Sequence, residues 1–538
     1  MRLKGLGSRA YNVMHHAHTV TGMMISLVLF VIFFAGAYTL FRAEIDQWAN
    51  PAARTEMPQN FDYDRAIENL TASYELDMHD PVRIYPPRTG HPDVELYASV
   101  KNEGGTHDHI HGHVDQASYQ IELEDEEAGP KTTVGQTLYY LHFLYQIPVL
   151  GAYISGFAAL FFLLATVTGV LIHWRNIFQK FYAFFVGKRW KQIWTDAHTV
   201  IGVISLPFQV MYAITGALFC LSIFLLLPSV MVMFGGDQAP VLSTIQPPYG
   251  IESNEEAPTD PALSVNELTS NVKQDFPDHS ISRITLSNYG HKGAIASFYL
   301  DDETGLMGSG SVAYGMTDGT LIKEHSHIPY DKSYGQSVYA VLVKLHYATY
   351  GNWVLKVIYF LLAMLTCFMI ISGILIWQTA RDRSRYSEKQ KRFHHRITKL
   401  NLTVCMGLFP AVAILFITNK LVPMDYEGRG ILVEQIFFIA WLVLAAIGWK
   451  WDNYGRMNRN YFLLGGALSF LIPLLNGVVT GDWIWQSWRT LPAVAGIDIL
   501  WLLTGCLAIW TATKITVHED TVDEQEAESK AKLQRSVV

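Results

Sequence analysis

The chain has 538 residues, 50% of them hydrophobic and only 16% charged, where an ordinary soluble domain carries about 25% charged residues. That balance excludes a disordered chain, a collagen-like chain and a disulfide-stapled mini-scaffold. The 40 basic and 48 acidic residues leave a net charge of −8, which gives no footing for nucleic acid.

Taken in chain order, eight apolar runs reach the roughly 20 residues that a bilayer-crossing helix needs: 19–41, 150–174, 199–229, 353–377, 400–418, 431–449, 461–480 and 494–513. The expected fold class is an α-helical integral membrane protein with eight transmembrane helices. Segment 1–18 places Arg2, Lys4 and Arg9 before the first run. Phe41-Arg42-Ala43-Glu44 lacks a small-x-small cleavage pattern, so 19–41 reads as a retained anchor.

Segment 42–149 is acidic and punctuated by Pro and Gly, and Val94–Val100 alternates with period 2 as a strand does. Loop 175–198 then sets Arg175, Lys180, Lys188, Arg189 and Lys191 against Asp196. Segment 230–352 is again acidic; Ala294–Leu300 alternates and Asp301–Gly305 reads as a turn. Each of these two segments is expected to be a small α+β domain, and their acidity tells against tight capture of a free anion. Loop 378–399 holds eight basic and two acidic residues. The positive-inside rule turns both basic loops to the cytoplasm, which places the two acidic segments outside and both termini inside. The helices of 400–513 form an extra unit with no histidine, and they read as lacking buried acidic residues. The polar tail 514–538 reads as disordered. Cys220, Cys367, Cys405 and Cys506 lie in apolar runs, form no C-x-x-C, and read as small core hydrophobes.

Self-comparison reveals an internal repeat. Ala17-His18-Thr19-Val20-Thr21-Gly22 recurs 180 residues later as Ala197-His198-Thr199-Val200-Ile201-Gly202, and Gly36-Ala37 meets Gly216-Ala217 at the same offset. Leu141-His142-Phe143 recurs 204 residues later as Leu345-His346-Tyr347, and Gly169-x-Leu171-Ile172 meets Gly373-x-Leu375-Ile376. Both copies start on the same side of the membrane, so the repeats are parallel, related by an axis along its normal.

The repeat sorts the histidines. His18 and His198 head spans one and three at the cytoplasmic side; His142 and His346 stand at the outer mouths of spans two and four. A pseudo-twofold axis would bring each pair together. Ionisable residues at membrane depth are costly and mark function, and two facing imidazoles can ligate a haem iron axially. The chain has no C-x-x-C-H, so such a haem would be non-covalent and b-type. His173 competes for the inner site, although its repeat counterpart is Trp377. Taken singly, His15, His16, His173, His394 and His395 also suit polar anchoring at an interface. The run His107-Asp108-His109-Ile110-His111-Gly112-His113 has two readings: an extended strand with His107, His109, His111 and His113 on one face, able to bind a transition-metal ion, or a solvated loop tip. Small residues beside the helices (Gly22, Gly36, Gly169, Gly202, Gly216, Gly373) would admit a flat macrocycle or a neighbouring helix.

The pattern H-x3-G opening an apolar helix, an outside segment, then L-H before a helix ending in S-G or T-G-x-L resembles the PepSY-associated transmembrane-helix family, over roughly residues 10–380. The residues that carry it are His18/Gly22, His198/Gly202, Thr215-Gly216, Leu141-His142, Leu345-His346, Thr168-Gly169 and Ser372-Gly373 with Trp377. The resemblance implies PepSY-like outside domains and a bacterial inner-membrane location. Its members include siderophore-iron reductases of the FoxB type, with two b haems in a four-helix core. It therefore implies a transmembrane ferric reductase acting on a ferric siderophore or other ferric chelate. The sequence shows no dinucleotide-binding G-x-G-x-x-G after a strand, so the donor would be a cytoplasmic reductant or membrane quinol. Two other readings stand beside it: a permease for iron or a released chelator, and a non-catalytic envelope sensor.

Overall fold

The structure is a computed structural model. It describes residues 7–54, 61–77, 80–88, 93–101, 107–116, 118–123, 134–180, 190–238, 240–242, 251, 263–302, 305–332, 334–515 and 517. Lys188, Arg189, the turn residues Glu303 and Thr304, and the tail from 518 onward lie outside the described residues.

The first half of the chain runs α1 (Ser8–Thr39), α2 (Arg42–Ala49), α3 (Tyr63–Ser73), β1 (Val82–Tyr85), β2 (Val94–Lys101), β3 (His107–Val114), β4 (Ile121–Leu123), α4 (Val134–His142), α5 (Leu150–His173) and the short α6 (Ile177–Lys180). It continues through α7 (Trp190–Ile204), α8 (Leu206–Met233), α9 (Val265–Asp275), β5 (Ser280–Ser287), β6 (Ile295–Asp301), β7 (Gly310–Gly315), α10 (Tyr334–Tyr347) and α11 (Trp353–Arg381). The extra unit is α12 (Glu388–Leu421), α13 (Arg429–Trp449), α14 (Tyr454–Thr480), α15 (Ile484–Thr490) and α16 (Pro492–Lys514).

Seven of these helices (α1, α5, α11, α12, α13, α14 and α16) are long and apolar enough to cross a membrane. The expected third span, 199–229, is not one straight helix. α7 and α8 meet at Ser205 with a bend of 71° and make an eighth crossing only if counted together. The cause is Pro207 at the start of α8: it has no N–H to continue the helical ladder, while it suits a first turn. The Ser205 hydroxyl bonds the Ile201 carbonyl at 2.6 Å and receives Gln209 Nε2 at 2.6 Å, which fastens the break from both sides.

The two acidic segments do not form two separate domains. Their strands join in one antiparallel sheet of order β4-β3-β2-β1-β5-β6-β7. The joint is β1 with β5, where Arg83 faces Thr285 and Ile84 faces Ile284. Strand alternation puts Ile84, Leu96, Ile284, Leu286 and Phe298 on one face, where α3 (Ile67, Leu70) and α9 (Val265, Leu268) bury them in a single core. Asp62 and Ser264 cap the two helices. The Asp64 carboxylate also accepts the Val265 and Asn266 N–H groups at 2.7 and 3.2 Å, tying one segment to the other.

Beneath the sheet, α1 packs between α5 and α11, α5 against α8, and α7 against α11. α12 brings the extra unit alongside α1 and α11; there the Ser26 hydroxyl donates to Asn401 Oδ1 at 2.8 Å. The expectation that the extra helices bury no acid is wrong. Asp498 of α16 is fully buried, accepting from Trp48 Nε1 at 2.7 Å and Asn476 Nδ2 at 2.8 Å. Lys420 Nζ lies 4.0 Å from the centre of the Trp48 ring and donates to the Trp48 carbonyl, and Arg54 pairs with Asp482 at 2.5 Å. A membrane-embedded carboxylate needs such partners, and here they come from α2, α12 and α14 together. Of the four cysteines, all free, Cys367 and Cys405 are buried, Cys220 is half-buried and Cys506 is exposed.

Candidate functional site: two facing histidine pairs

His18 (α1) and His198 (α7) face each other with ring centres 6.1 Å apart. His142, the last residue of α4, and His346 of α10 do the same at 6.0 Å. The second pair adjoins the sheet through the helices that leave it; the first lies at the far end of α1. A metal–imidazole bond is about 2 Å, so rings gripping one ion from opposite sides are centred roughly 6 Å apart.

The ring nitrogens are sorted by their neighbours. His18 Nδ1 lies 2.8 Å from the Ala165 carbonyl, His198 Nδ1 2.9 Å from the Met369 carbonyl and His142 Nδ1 2.9 Å from the Ile32 carbonyl. A carbonyl only accepts, so each Nδ1 carries the proton and each Nε2 keeps its lone pair. This is how proteins orient an imidazole as a metal ligand. Ala165 and Met369 stand 204 residues apart, the spacing that also separates His142 from His346. His346 departs from the pattern: its Nδ1 meets Thr215 Oγ1 at 2.8 Å. The Thr215 hydroxyl proton is directed to the Met211 carbonyl at 2.8 Å, so its oxygen serves as the acceptor. Tyr212 donates its phenol to the His346 carbonyl at 2.9 Å and sets its ring 5.0 Å from the imidazole.

Glycines let the rings in. A Cβ on Gly169 would stand 3.2 Å from His18 Cε1, one on Gly373 3.1 Å from His198 Cε1, and one on Gly36 2.5 Å from His142 Nδ1. Gly22, one turn from His18, faces open space within 4 Å. Gly216 and Gly202 serve helix contacts instead, with Ala159 and Met369.

Sequence reasoning missed the anchors Ile32, Ala165, Met369 and Thr215. Three act through backbone carbonyls, which leave no side-chain signature. Thr215 sits beside the repeat glycine Gly216 and was legible only as part of a T-G pair.

The other histidines are placed differently. His173 is the last residue of α5, but the rings that face each other are those of His18 and His198. His15 stacks on Tyr11 at 6.1 Å, His394 packs on Trp377 at 5.1 Å, and the Tyr454 hydroxyl lies 2.6 Å from His395 Nδ1. The run His107–His113 is strand β3, not a loop tip. His109 Nδ1 lies 2.7 Å from Ser99 Oγ and 3.7 Å from Asp80 Oδ2, and His111 stacks on Tyr97 at 3.9 Å. Among the described residues, no group of three or more His, Cys, Asp or Glu side chains is placed to hold a metal ion.

The chain matches the model of the PepSY-associated TM region over residues 15–379. A similar protein is an uncharacterized protein of Pseudomonas aeruginosa, 23% identical over 374 residues, covering 64% of this chain and 86% of the relative. The matched region runs from α1 almost to the end of α11, takes in both histidine pairs and the whole sheet, and stops short of α12. This multi-pass membrane protein therefore belongs to the PepSY-associated TM region family.

Proposed function

We propose that the chain is a di-haem b oxidoreductase that carries electrons across the bacterial inner membrane to a ferric chelate, such as a ferric siderophore, on the side of the sheet. The carrying observation is the arrangement of four imidazoles in two facing pairs, each with Nδ1 anchored and Nε2 left for a ligand. His18 with His198 would hold one haem and His142 with His346 the other; bound haem iron supplies one-electron chemistry. Everything else is positioning. Ile32, Ala165, Met369 and Thr215 fix the tautomers, and burial among apolar helices excludes water. His18 and Ile32, the latter holding His142, are fourteen residues apart on α1, or about 21 Å along the helix. The two sites thus divide the membrane's thickness. Phe33, the residue after Ile32, sets its ring centre 6.3 Å from Phe208 and 6.0 Å from Tyr212.

The basic loops support an orientation with both termini cytoplasmic and the sheet outside. The electron donor would be a cytoplasmic reductant or membrane quinol. The buried Asp498 removes one objection to a permease. Its two oxygens are, however, already engaged by Trp48 and Asn476, which suits a joint between helices better than an ion path.

The test is reconstitution into liposomes with a reductant sealed inside and a ferric chelate outside, with ferrous iron read by a coloured trap. The reading predicts ferrous iron outside only when protein is present; no reduction by haem-loaded protein would contradict it. A finer prediction concerns Thr215. Loss of an outer-sphere partner costs about 10–100-fold in metal affinity, so Thr215→Val should lose one of two haems to an apoglobin acceptor faster by that factor. Equal loss rates would show that Thr215 does not orient His346.

A further inference from the structure

The basic loop between α11 and α12 runs into a helix that outreaches the membrane. α12 starts at Glu388. Ten residues later Thr398 bonds Gln378, near the end of α11, at 3.0 Å, and the apolar run begins only at residue 400. Ten residues of helix rise about 15 Å, and a tilt of 40° still leaves about 11 Å. The headgroup layer on one side of a bilayer is about 5–8 Å deep. The first turns of α12 therefore stand in water beyond the headgroups.

Those turns carry an open cationic stripe. Lys389, Arg392 and Arg396 follow the three-and-four spacing that shares one helix face, and all three are exposed. Phe393 beside them is 61% exposed. Arg383 and Arg385, in the turn before α12, are exposed as well. None of these five cations forms a salt bridge among the described residues. The nearby acids are engaged elsewhere: Glu388 pairs with Lys391 at 2.9 Å and Asp452 with Lys399 at 2.6 Å. The inward side of the same turns is occupied, with His394 on Trp377 and His395 against Tyr454.

A counterpart of opposite charge lies in the chain itself. Residues 519–528 hold Glu519, Asp520, Asp523, Glu524, Glu526 and Glu528 and no basic residue. Such blocks of like charge commonly serve as interaction tails. The tail also starts at the right end of the bundle. A Cβ on Gly466 of α14 would stand 2.8 Å from Ile509 Cδ1, and one on Gly505 3.1 Å from Ser469 Cβ. α16 thus runs antiparallel to α14 and brings Lys514 beside the first turns of α14, whose Tyr454 meets α12. α14 touches both α12 and α16. With neighbouring axes 8–10 Å apart, α12 is about 20 Å from α16. Ten residues, 515–524, can span up to about 33 Å.

We propose that the acidic segment 519–528 docks on the cationic face formed by Arg383, Arg385, Lys389, Arg392 and Arg396. Exposed ion pairs are individually weak. Here several act together, and the short tether raises the effective concentration of the tail to the millimolar range. α11 links this face to the inner histidine pair: Trp377, beneath His394, is one turn beyond Gly373, the glycine that adjoins His198. The docked segment lies across the cytoplasmic approach to that pair. The docking itself does not depend on the reductase reading.

A carbodiimide joins carboxylate to amine only where the two are in contact. Applied to the purified protein in neutral phosphatidylcholine nanodiscs, with peptides read by mass spectrometry, it should join Lys389 or Lys391 to carboxylates of 519–528. The yield should be independent of protein concentration and lost in 1 M salt, where screening is nearly complete beyond about 3 Å. Arg392→Glu with Arg396→Glu should lower it about tenfold, with no change in melting midpoint because both side chains are exposed. Adding Asp523→Lys and Glu524→Lys should restore it. Absence of these cross-links, a yield that grows with protein concentration, or a yield indifferent to the charge reversal would overturn the docking. Exchange of the neutral lipid for phosphatidylglycerol should leave the cross-links in place; their loss would assign the face to lipid headgroups instead.

Discussion

His346→Ala should remove about half of the haem absorbance of the purified protein and abolish reduction of an external ferric chelate. The ring of His346 is the partner of His142 at 6.0 Å, and an imidazole facing a methyl group cannot complete a bis-histidine site. The other pair is separate: His18 and His198 take their anchors from Ala165 and Met369, far along the helices from Thr215 and Ile32. His198→Ala should therefore remove the other half of the absorbance and leave the His346 site spectrally intact. Difference spectra of dithionite-reduced protein read both losses. If His346→Ala keeps a full haem complement and full ferric reduction, the sheet-side assignment is wrong.

Asp498→Ala is expected to have the largest effect on stability. The substitution leaves Trp48 Nε1 and one N–H of Asn476 without an acceptor, the other keeping the Asp482 carbonyl at 3.4 Å, in a region where both residues are fully buried. Each orphaned donor costs about 1–3 kcal/mol, and Lys420 beside Trp48 loses a nearby negative charge. The damage falls on the contact between α2 and the extra unit, so the melting midpoint should drop while the spectral signature of both histidine pairs survives at low temperature. Asp498→Asn keeps an acceptor for Trp48 but turns an N–H2 group towards Asn476, and should fall between the two. A melting midpoint unchanged in Asp498→Ala would show that the joint is held by packing alone.

The sequence made the histidine pairs legible because two offsets, 180 and 204, kept His18/His198 and His142/His346 while their neighbours diverged. It made strands β2 and β6 legible through period-2 alternation. It hid the joining of the two segments, because β1 and β5 pair across some two hundred intervening residues and each segment alone looks like a complete small sheet. The break in the third span was written in Pro207, but the apolar run continues through it and hydropathy alone sees no interruption. Asp498 stood in plain view within an apolar run; its burial depends on Trp48, 450 residues away, which no local pattern reports. Helices α4 and α10 were read as parts of the outside segments, although they deliver His142 and His346 to the bundle.

The account stands or falls on the haem content of the purified protein. Pyridine haemochrome analysis should give two b haems per chain for the wild type and none when His18, His142, His198 and His346 are all replaced by alanine. A colourless wild-type protein, or a quadruple variant that retains its haem, would contradict it.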